Sequence, residues 1–156
     1  MTELAGRLLE DLKVAMRRGD VTRRDVLRYL RAEVHNVEIE RGHPLSDAEV
    51  LAVVQRQIKQ RRDSIEQFAR GGRQDLVDAE ESQIAVLQEY LPAAMTREEL
   101  VDVARAVAAE VGATGPGDMG RLVPALRARV GARAEGRLVA EVARDVLASS
   151  HAPGAS

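Results

Sequence analysis

The sequence contains no cysteine and no tryptophan, and it has only one phenylalanine and two tyrosines in 156 residues. Without cysteine, the chain forms no disulfide, no thiolate metal site and no cysteine nucleophile. With so few aromatic rings, it also lacks a platform on which many single-stranded bases could stack. The core must therefore consist of leucine, valine, isoleucine and alanine, which fill small gaps between helices well.

Neither sign of charge dominates, since 23 basic residues face 25 acidic ones and the net charge is −2. A near-neutral chain creates no long-range field toward nucleic acid or a membrane, so any attraction must come from a local patch. No stretch approaches the roughly 18 apolar residues of a membrane span. The first residues include Glu3, Glu10 and Asp11, where a signal peptide would be apolar. We therefore expect a soluble, cytoplasmic protein with no membrane partner.

Strand-like alternation is also missing, and apolar residues recur at helical spacing between breaks at glycine and proline. The pattern predicts an all-α fold with two domains. Four helices form an N-terminal domain, residues 1–94, and three form a C-terminal bundle, residues 95–149. The stretch "LPAAM" is the expected joint, and residues 150–156 are expected to be a disordered tail.

Local signals mark where the predicted helices begin and end. Thr22 is the expected cap of the second helix, while Ser46 with Glu49 and Thr96 with Glu99 have the spacing of capping boxes. The fourth helix is expected to run to Leu91. The expected helix stops are Gly19, Gly42, Gly71, Pro92 and Gly112.

The stretch "KQRRDSIEQFARGG" at the end of the third helix is rich in basic residues and suggests a nucleic-acid-binding site. At 100° per residue, however, Lys59 and Arg62 share a solvated face with Asp63 and Glu66. A face with charges of both signs is typical of the solvent-exposed side of a helix. Lys59 and Asp63 are also spaced as an i,i+4 ion pair. We therefore predict that Lys59 and Arg62 form only a weaker, second RNA-binding surface.

Arg61 differs from its basic neighbours because it projects about 20° from Val50, inside the apolar stripe of the third helix. Glu80 projects into the apolar stripe of the fourth helix in the same way. A charged group on a buried face must reach solvent or find a partner. The sequence therefore predicts a buried Arg61–Glu80 salt bridge that fixes helix register, a structural role rather than a catalytic one.

The C-terminal part holds a local excess of arginine, although eight basic and eight acidic residues balance over the whole of it. One acid, Glu135, stands among five arginines, which are Arg121, Arg127, Arg129, Arg133 and Arg137. Glycine-rich turns at 115–120 and 131–136 flank this segment, and their backbone N–H groups could hold phosphates. We predict an RNA-binding surface here; the alternative is a set of ordinary exposed arginines.

Catalytic and metal-binding constellations are sparse. The three histidines, at positions 35, 43 and 151, have no second histidine four positions away. The loop "GATGPGDMG" lacks the Lys-Ser/Thr pair of a phosphate-binding P-loop. We therefore predict no catalytic residue, no metal and no cofactor.

Four stretches resemble the YqeY-like family, and together they span roughly residues 3 to 148. They are "DLKVAMRRGDVTRRDVLRYLRAEVHNVEIERG", "LSDAEVLAVVQRQIKQRRDSIEQFARGGRQDL", "EYLP" and "GPGDMGRLVPALRARVGARAEGRLVAEV". The C-terminal half is similar to the tail domain of the B subunit of glutamine-dependent aspartyl/glutamyl-tRNA amidotransferase. The resemblance implies an N-terminal helical domain followed by a three-helix, tail-like domain.

One residue departs from the family's usual pattern. Pro124 stands inside "MGRLVPAL", where a residue compatible with a helix interior is expected. Proline is tolerated in the first turn of a helix but not deeper. The sixth helix is therefore expected either to begin near Leu122 or to kink at Pro124.

The resemblance also implies a function. In the amidotransferase the tail domain helps to hold the tRNA, which implies binding of tRNA or another structured RNA here, with no DNA expected. The family-level activity is that of a carbon–nitrogen ligase with glutamine as amido-N-donor. The chain has no cysteine, no Ser-Ser-Lys arrangement and no ATP loop, which argues against self-sufficient catalysis. The alternative is a helical interaction module that docks on an amidotransferase or a synthetase.

Overall fold

The structure, a computed structural model, describes residues 2–150. Over this range the chain forms seven α-helices and no strand, which confirms the all-α prediction. The helices are α1 Glu3–Arg18, α2 Val21–Arg41, α3 Asp47–Arg70, α4 Gln74–Gln88, α5 Arg97–Val111, α6 Met119–Val130 and α7 Gly136–Ser150. Short 3₁₀ turns at Pro116–Asp118 and Gly131–Arg133 flank α6. Of the predicted tail, Ser150 belongs to α7 and residues 151–156 lie outside the described residues.

The contacts divide the chain into two compact units, the first ending at Leu91 and the second beginning at Pro92. In the first unit, α1 packs mainly on α2 and α3 mainly on α4. Leu8, Leu27, Val50 and Leu87 bring one fully buried side chain from each of these helices into the core. In the second unit, α5, α6 and α7 all contact one another around a separate aliphatic core.

The helix boundaries follow local capping chemistry, with corrections to the predictions for α2, α4 and α6. Thr22 was the wrong cap for α2, because Asp20 is the N-cap and its carboxylate accepts from the Arg23 N–H at 3.1 Å. The capping box of Ser46 and Glu49 is confirmed, with both reciprocal bonds formed. Gly19 ends α1 at φ 68°, a left-handed conformation that glycine adopts without a side-chain clash.

The predicted end of α4 at Leu91 was wrong, since the helix ends at Gln88. The next residues continue as a tighter turn, in which the N–H groups of Glu89, Tyr90 and Leu91 each donate to the carbonyl three residues back. Such 3₁₀-type bonding is common at helix C-termini. The turn carries the "EYLP" stretch out of the helix.

The "EYLP" stretch is held against α1 and α2 by its polar side chains. The Tyr90 hydroxyl donates to the Asp11 carboxylate at 2.6 Å, and the Arg7 guanidinium lies 4.7 Å from the centre of the Tyr90 ring. Arg23 donates to both oxygens of Glu89, at 2.5 and 3.0 Å. Burial, followed by the bond to Asp11, raises the pKa of Tyr90 above its ordinary value, so the phenol keeps its proton.

Replacing Tyr90 by phenylalanine removes the bond to Asp11 while leaving the ring in place. We expect a loss of about 1.5–3 kcal/mol in the free energy of unfolding, the usual size for a hydrogen bond to a charged group. Urea unfolding followed by circular dichroism measures it. Tyr29→Phe is the matched control, because Tyr29 is 58% exposed and should change little. Equal effects of the two variants would contradict the assigned role of Tyr90.

The sixth helix begins earlier than the sequence indicated. It starts at Met119, so Pro124 lies inside the helix rather than in the first turn of one beginning near Leu122. The proline ring removes the N–H that would bond to the Gly120 carbonyl, four residues back. The preceding 3₁₀ turn at Pro116–Asp118 leads directly into this helix. That turn explains the early start, because it already sets helix-like backbone before Met119.

Candidate nucleic-acid interface

The five arginines predicted to bind RNA lie on α6, on the 3₁₀ turn after it and in the first turn of α7, and all five are exposed. They are Arg121, Arg127, Arg129, Arg133 and Arg137, and we call them the arginine surface. The sequence window around them contains few acids. The fold, however, brings acids to them from outside this window.

Arg121 is held by the end of α5 and by the glycine-rich loop. Its guanidinium donates to the carbonyls of Val111 at 3.2 Å and Gly112 at 3.5 Å, and it pairs with Asp118. Asp118 also accepts from the N–H groups of Thr114 and Gly115, at 2.8 and 3.2 Å. Arg121 and these N–H groups lower the pKa of Asp118 to about 2. One backbone donor of the turn expected to hold phosphate, the Gly115 N–H, is therefore bound by a carboxylate of this chain, and so is the adjacent N–H of Thr114.

Two more members of the arginine surface face acids of α5. Arg129 donates to Glu110 at 2.6 Å, and these side chains are 50% and 53% exposed. Arg133 lies 3.9 Å from Glu99, with similar exposure, and its Nε also donates to the Ala93 carbonyl at 3.4 Å. Exposed pairs of this kind contribute only about 0–1 kcal/mol. They therefore offer little resistance to exchange for another anion.

Arg127 differs from the rest of the arginine surface. Within residues 2–150 its guanidinium makes no hydrogen bond or ion pair. It lies against the start of α7, where a side-chain carbon added to Gly136 would be 3.1 Å from Arg127 Nη2. Glycine at position 136 therefore leaves room for this guanidinium. Arg137 is exposed on the same turn of α7.

Lys59 and Arg62 of α3 differ in exposure, although the helical projection put both on the solvated face. Lys59 is 3.4 Å from Asp63, and the two side chains are 69% and 47% exposed. Arg62, one turn along, is partly buried. The face has mixed sign, as expected for the solvated side of a helix.

Arg61 and Glu80 meet across the contact between α3 and α4. Arg61 Nη1 donates to the Glu80 carboxylate at 3.2 Å and also to the amide oxygen of Gln83. The two charged side chains are 16% and 20% exposed, so water still reaches the pair. Arg61 Nε is buried without a hydrogen-bond partner among the described residues.

A second polar contact, between α2 and α3, was not predicted from the sequence. Gln57 is only 1% exposed and donates to Glu33, whose carboxylate also pairs with Arg56. The signal was available, because Gln57 projects about 20° from Val50, on the apolar side of α3. The projection that identified Arg61 would have identified Gln57 as well.

Between residues 2 and 150, no three or more His, Asp or Glu side chains are grouped so that they could hold a metal ion. Over the same residues, no helix is both long and apolar enough to cross a membrane.

These features define an all-helical protein whose arginine surface is made largely of exposed, exchangeable ion pairs. Sequence comparison then gives its family. The family model described as "Yqey-like protein" matches residues 5–147. The chain belongs to the YqeY-like family.

Several fungal proteins named "Altered inheritance of mitochondria protein 41, mitochondrial" are similar to the chain. The Eremothecium gossypii protein is 36% identical over 93 residues, which cover 59% of this chain and 51% of that protein. The Lachancea thermotolerans protein is 39% identical over 85 residues, or 54% and 46% of the two chains. The Pyrenophora tritici-repentis protein is 37% identical over 84 residues, again 54% and 46%. The chain thus spans about half the length of these relatives.

Proposed function

We propose that the chain is a non-catalytic RNA-binding module that contacts the backbone of tRNA or another structured RNA through the arginine surface. Arg127 carries the proposal, since it is exposed and has no polar partner among the described residues. Arg129 and Arg133 flank it. Their ion pairs with Glu110 and Glu99 are exposed and are therefore weakened by solvent. Phosphate oxygens can replace those carboxylates and form charge-assisted bonds with the guanidinium groups.

The finer parts of the proposal come from the family resemblance. They are the similarity of the second domain to the amidotransferase tail and tRNA as the RNA, whereas the organisation into four plus three helices comes from the apolar pattern. Lys59 and Arg62 serve as a weaker, second surface. The predicted cytoplasmic localisation belongs to the same proposal, although the names of the fungal relatives place those proteins in mitochondria. No cofactor or metal is required for backbone binding.

Removing Arg127 and Arg129 together should weaken tRNA binding. For Arg127→Gln/Arg129→Gln we expect about tenfold weaker binding at low salt, because each phosphate contact adds a salt-sensitive contribution to affinity. The slope of log K against log salt should also fall by about 1 for each lost contact. Filter binding of tRNA at several salt concentrations measures both quantities.

Arg105→Gln/Arg144→Gln is the matched control for this experiment. Both arginines belong to the second unit, on α5 and α7, and make no hydrogen bond or ion pair within residues 2–150. The control variant removes the same charge outside the arginine surface. Equal weakening of tRNA binding by the two variants would show that the RNA is attracted to any positive charge on the chain. Absence of tRNA binding at low salt would refute the proposal.

A second candidate function, docking on a protein, is favoured by exposed apolar residues on α2. Val21, Tyr29 and Ile39 are 54%, 58% and 67% exposed. Val21 and Ile39 project at nearly the same angle, about 18 residues apart on one helix face. An amidotransferase or a synthetase is the proposed partner in this case. A pull-down with and without nuclease separates the two functions, since a protein partner survives nuclease and an RNA-bridged one does not.

A further inference from the structure

A cavity of about 570 Å³ opens in the first unit, between the N-terminal half of α1 and the middle of α2. Ala5 and Leu8 line it from α1, while Pro44 and Leu45 close it from the loop after α2. Its volume lies within the range of about 300–1,000 Å³ that is typical of small-molecule sites. Neither the family match nor the RNA-binding proposal assigns it a role.

One wall of the cavity is basic. Arg28, Arg31 and His35 line it from α2, and their spacing of three and four residues puts them on one helix face. The polar contact of Arg28 is a long one, 3.9 Å to the sulfur of Met16. Arg31 is partly buried, yet it makes no hydrogen bond or ion pair within the described chain. Two guanidinium groups therefore share a cavity without a carboxylate between them.

The acid in the lining does not neutralise this wall. Glu38 borders the cavity, but one of its carboxylate oxygens accepts from the Leu45 N–H at 2.9 Å. That bond fixes the carboxylate to the loop after α2. Two arginines against one carboxylate leave a net positive charge in the cavity. Most other arginines of the first unit, in contrast, face an acid directly, as Arg23 faces Glu89 and Arg41 faces Glu49.

The rest of the lining is apolar. Leu8, Val34 and Leu45 are 1%, 7% and 2% exposed, so they form a floor that belongs to the core. A small anion alone would leave this floor in contact with water. An anion with an apolar body would cover the floor and gain the free energy of burying that surface.

We propose that this cavity binds a phosphate monoester with a small apolar body. Arg28 and Arg31 bind the phosphate, and Leu8, Val34 and Leu45 contact the body. A dianion matches two guanidinium groups, whereas a carboxylate is satisfied by the fork of one arginine. The proposal is independent of RNA binding, because its residues all belong to the first unit and the arginine surface belongs to the second.

Three probes test the proposal on the full chain by isothermal titration calorimetry: phenyl phosphate, inorganic phosphate and benzoate. Phenyl phosphate should bind saturably and most tightly of the three. Inorganic phosphate should bind more weakly because it leaves the apolar floor uncovered. Benzoate should also bind more weakly because it carries one charge. Binding of benzoate as tight as that of phenyl phosphate would overturn the assignment of a phosphate, and no saturable binding of any probe would overturn the site.

Two variants locate the binding. Arg28→Gln/Arg31→Gln should weaken phenyl phosphate by about tenfold or more, the usual effect of losing charge-assisted hydrogen bonds. Arg105→Gln/Arg144→Gln removes the same charge from the second unit and should leave binding unchanged. Equal weakening by both would overturn the proposal. Circular dichroism on each variant confirms that it is folded before titration.

A third variant tests the apolar half of the cavity. Ala5→Leu extends a side chain from the α1 wall into the space proposed for the phenyl group. It should weaken phenyl phosphate while leaving inorganic phosphate unchanged. If both probes bind Ala5→Leu as they bind the unaltered chain, the assigned position of the apolar body is wrong.

Discussion

Leu126→Ala is expected to unfold the second unit while the first unit stays folded. Leu126 is fully buried on α6, in a core that it shares with Leu122, Val142 and Leu147. Truncating such a leucine costs about 2–5 kcal/mol, through lost burial and the cavity left behind. A single small core rarely supplies more than about 3–5 kcal/mol of stability. The variant therefore removes most of the stability of the second unit.

Hydrogen exchange with mass spectrometry measures this effect segment by segment. Backbone amides of α5, α6 and α7 should lose protection in Leu126→Ala, while those of α1 to α4 keep theirs. Leu126→Met nearly conserves volume and should cost less than about 1.5 kcal/mol, so it is the matched control. Loss of protection in both units at once would show that the chain unfolds as one body. That outcome would contradict the two-domain organisation predicted from the sequence.

The helices could be predicted because their signals are local. Apolar spacing and capping residues close to the helix start are enough to place α3. Its capping box, formed by Ser46 and Glu49, is present. The cap of α2 was predicted wrongly at Thr22, because apolar spacing does not fix a helix start to within two residues. Asp20 accepts from the N–H of Arg23, so α2 begins one residue before Thr22. The end of α4 was missed because the turn at Glu89 and Tyr90 retains the apolar spacing of a helix.

The surface charges were harder to predict because their partners are distant in sequence. Arg129 meets Glu110 from another helix, and Arg133 approaches Glu99. Counting charges between residues 119 and 137 could not include those acids. The cavity between α1 and α2 could not be predicted from the sequence for a related reason. The basic wall of the cavity follows from helical spacing, but its volume depends on how Ala5, Pro44 and Leu45 pack around it.

Glu80→Gln is expected to lower the free energy of unfolding by about 2–3 kcal/mol. Removing one member of a fully buried pair costs about 3–5 kcal/mol, and the 16% and 20% exposure of Arg61 and Glu80 reduces that figure. The cost arises at Arg61, which keeps its charge and already has a buried Nε without a hydrogen-bond partner in the described chain. In the variant, Arg61 keeps only neutral acceptors, the amide oxygens of Gln83 and of the introduced glutamine, and no carboxylate balances its charge.

An apolar replacement of both residues separates the pair from its surroundings. Arg61→Met/Glu80→Leu should unfold within about 1 kcal/mol of the unaltered chain, because well-packed apolar residues often replace an ion pair without loss. Lys59→Gln, which breaks the exposed pair with Asp63, should cost less than about 0.5 kcal/mol. Urea unfolding gives all four values under one condition. If Glu80→Gln costs no more than Lys59→Gln, the pair does not fix the packing of α3 on α4. A double variant as unstable as Glu80→Gln would instead show that the two helices require polar groups at these positions.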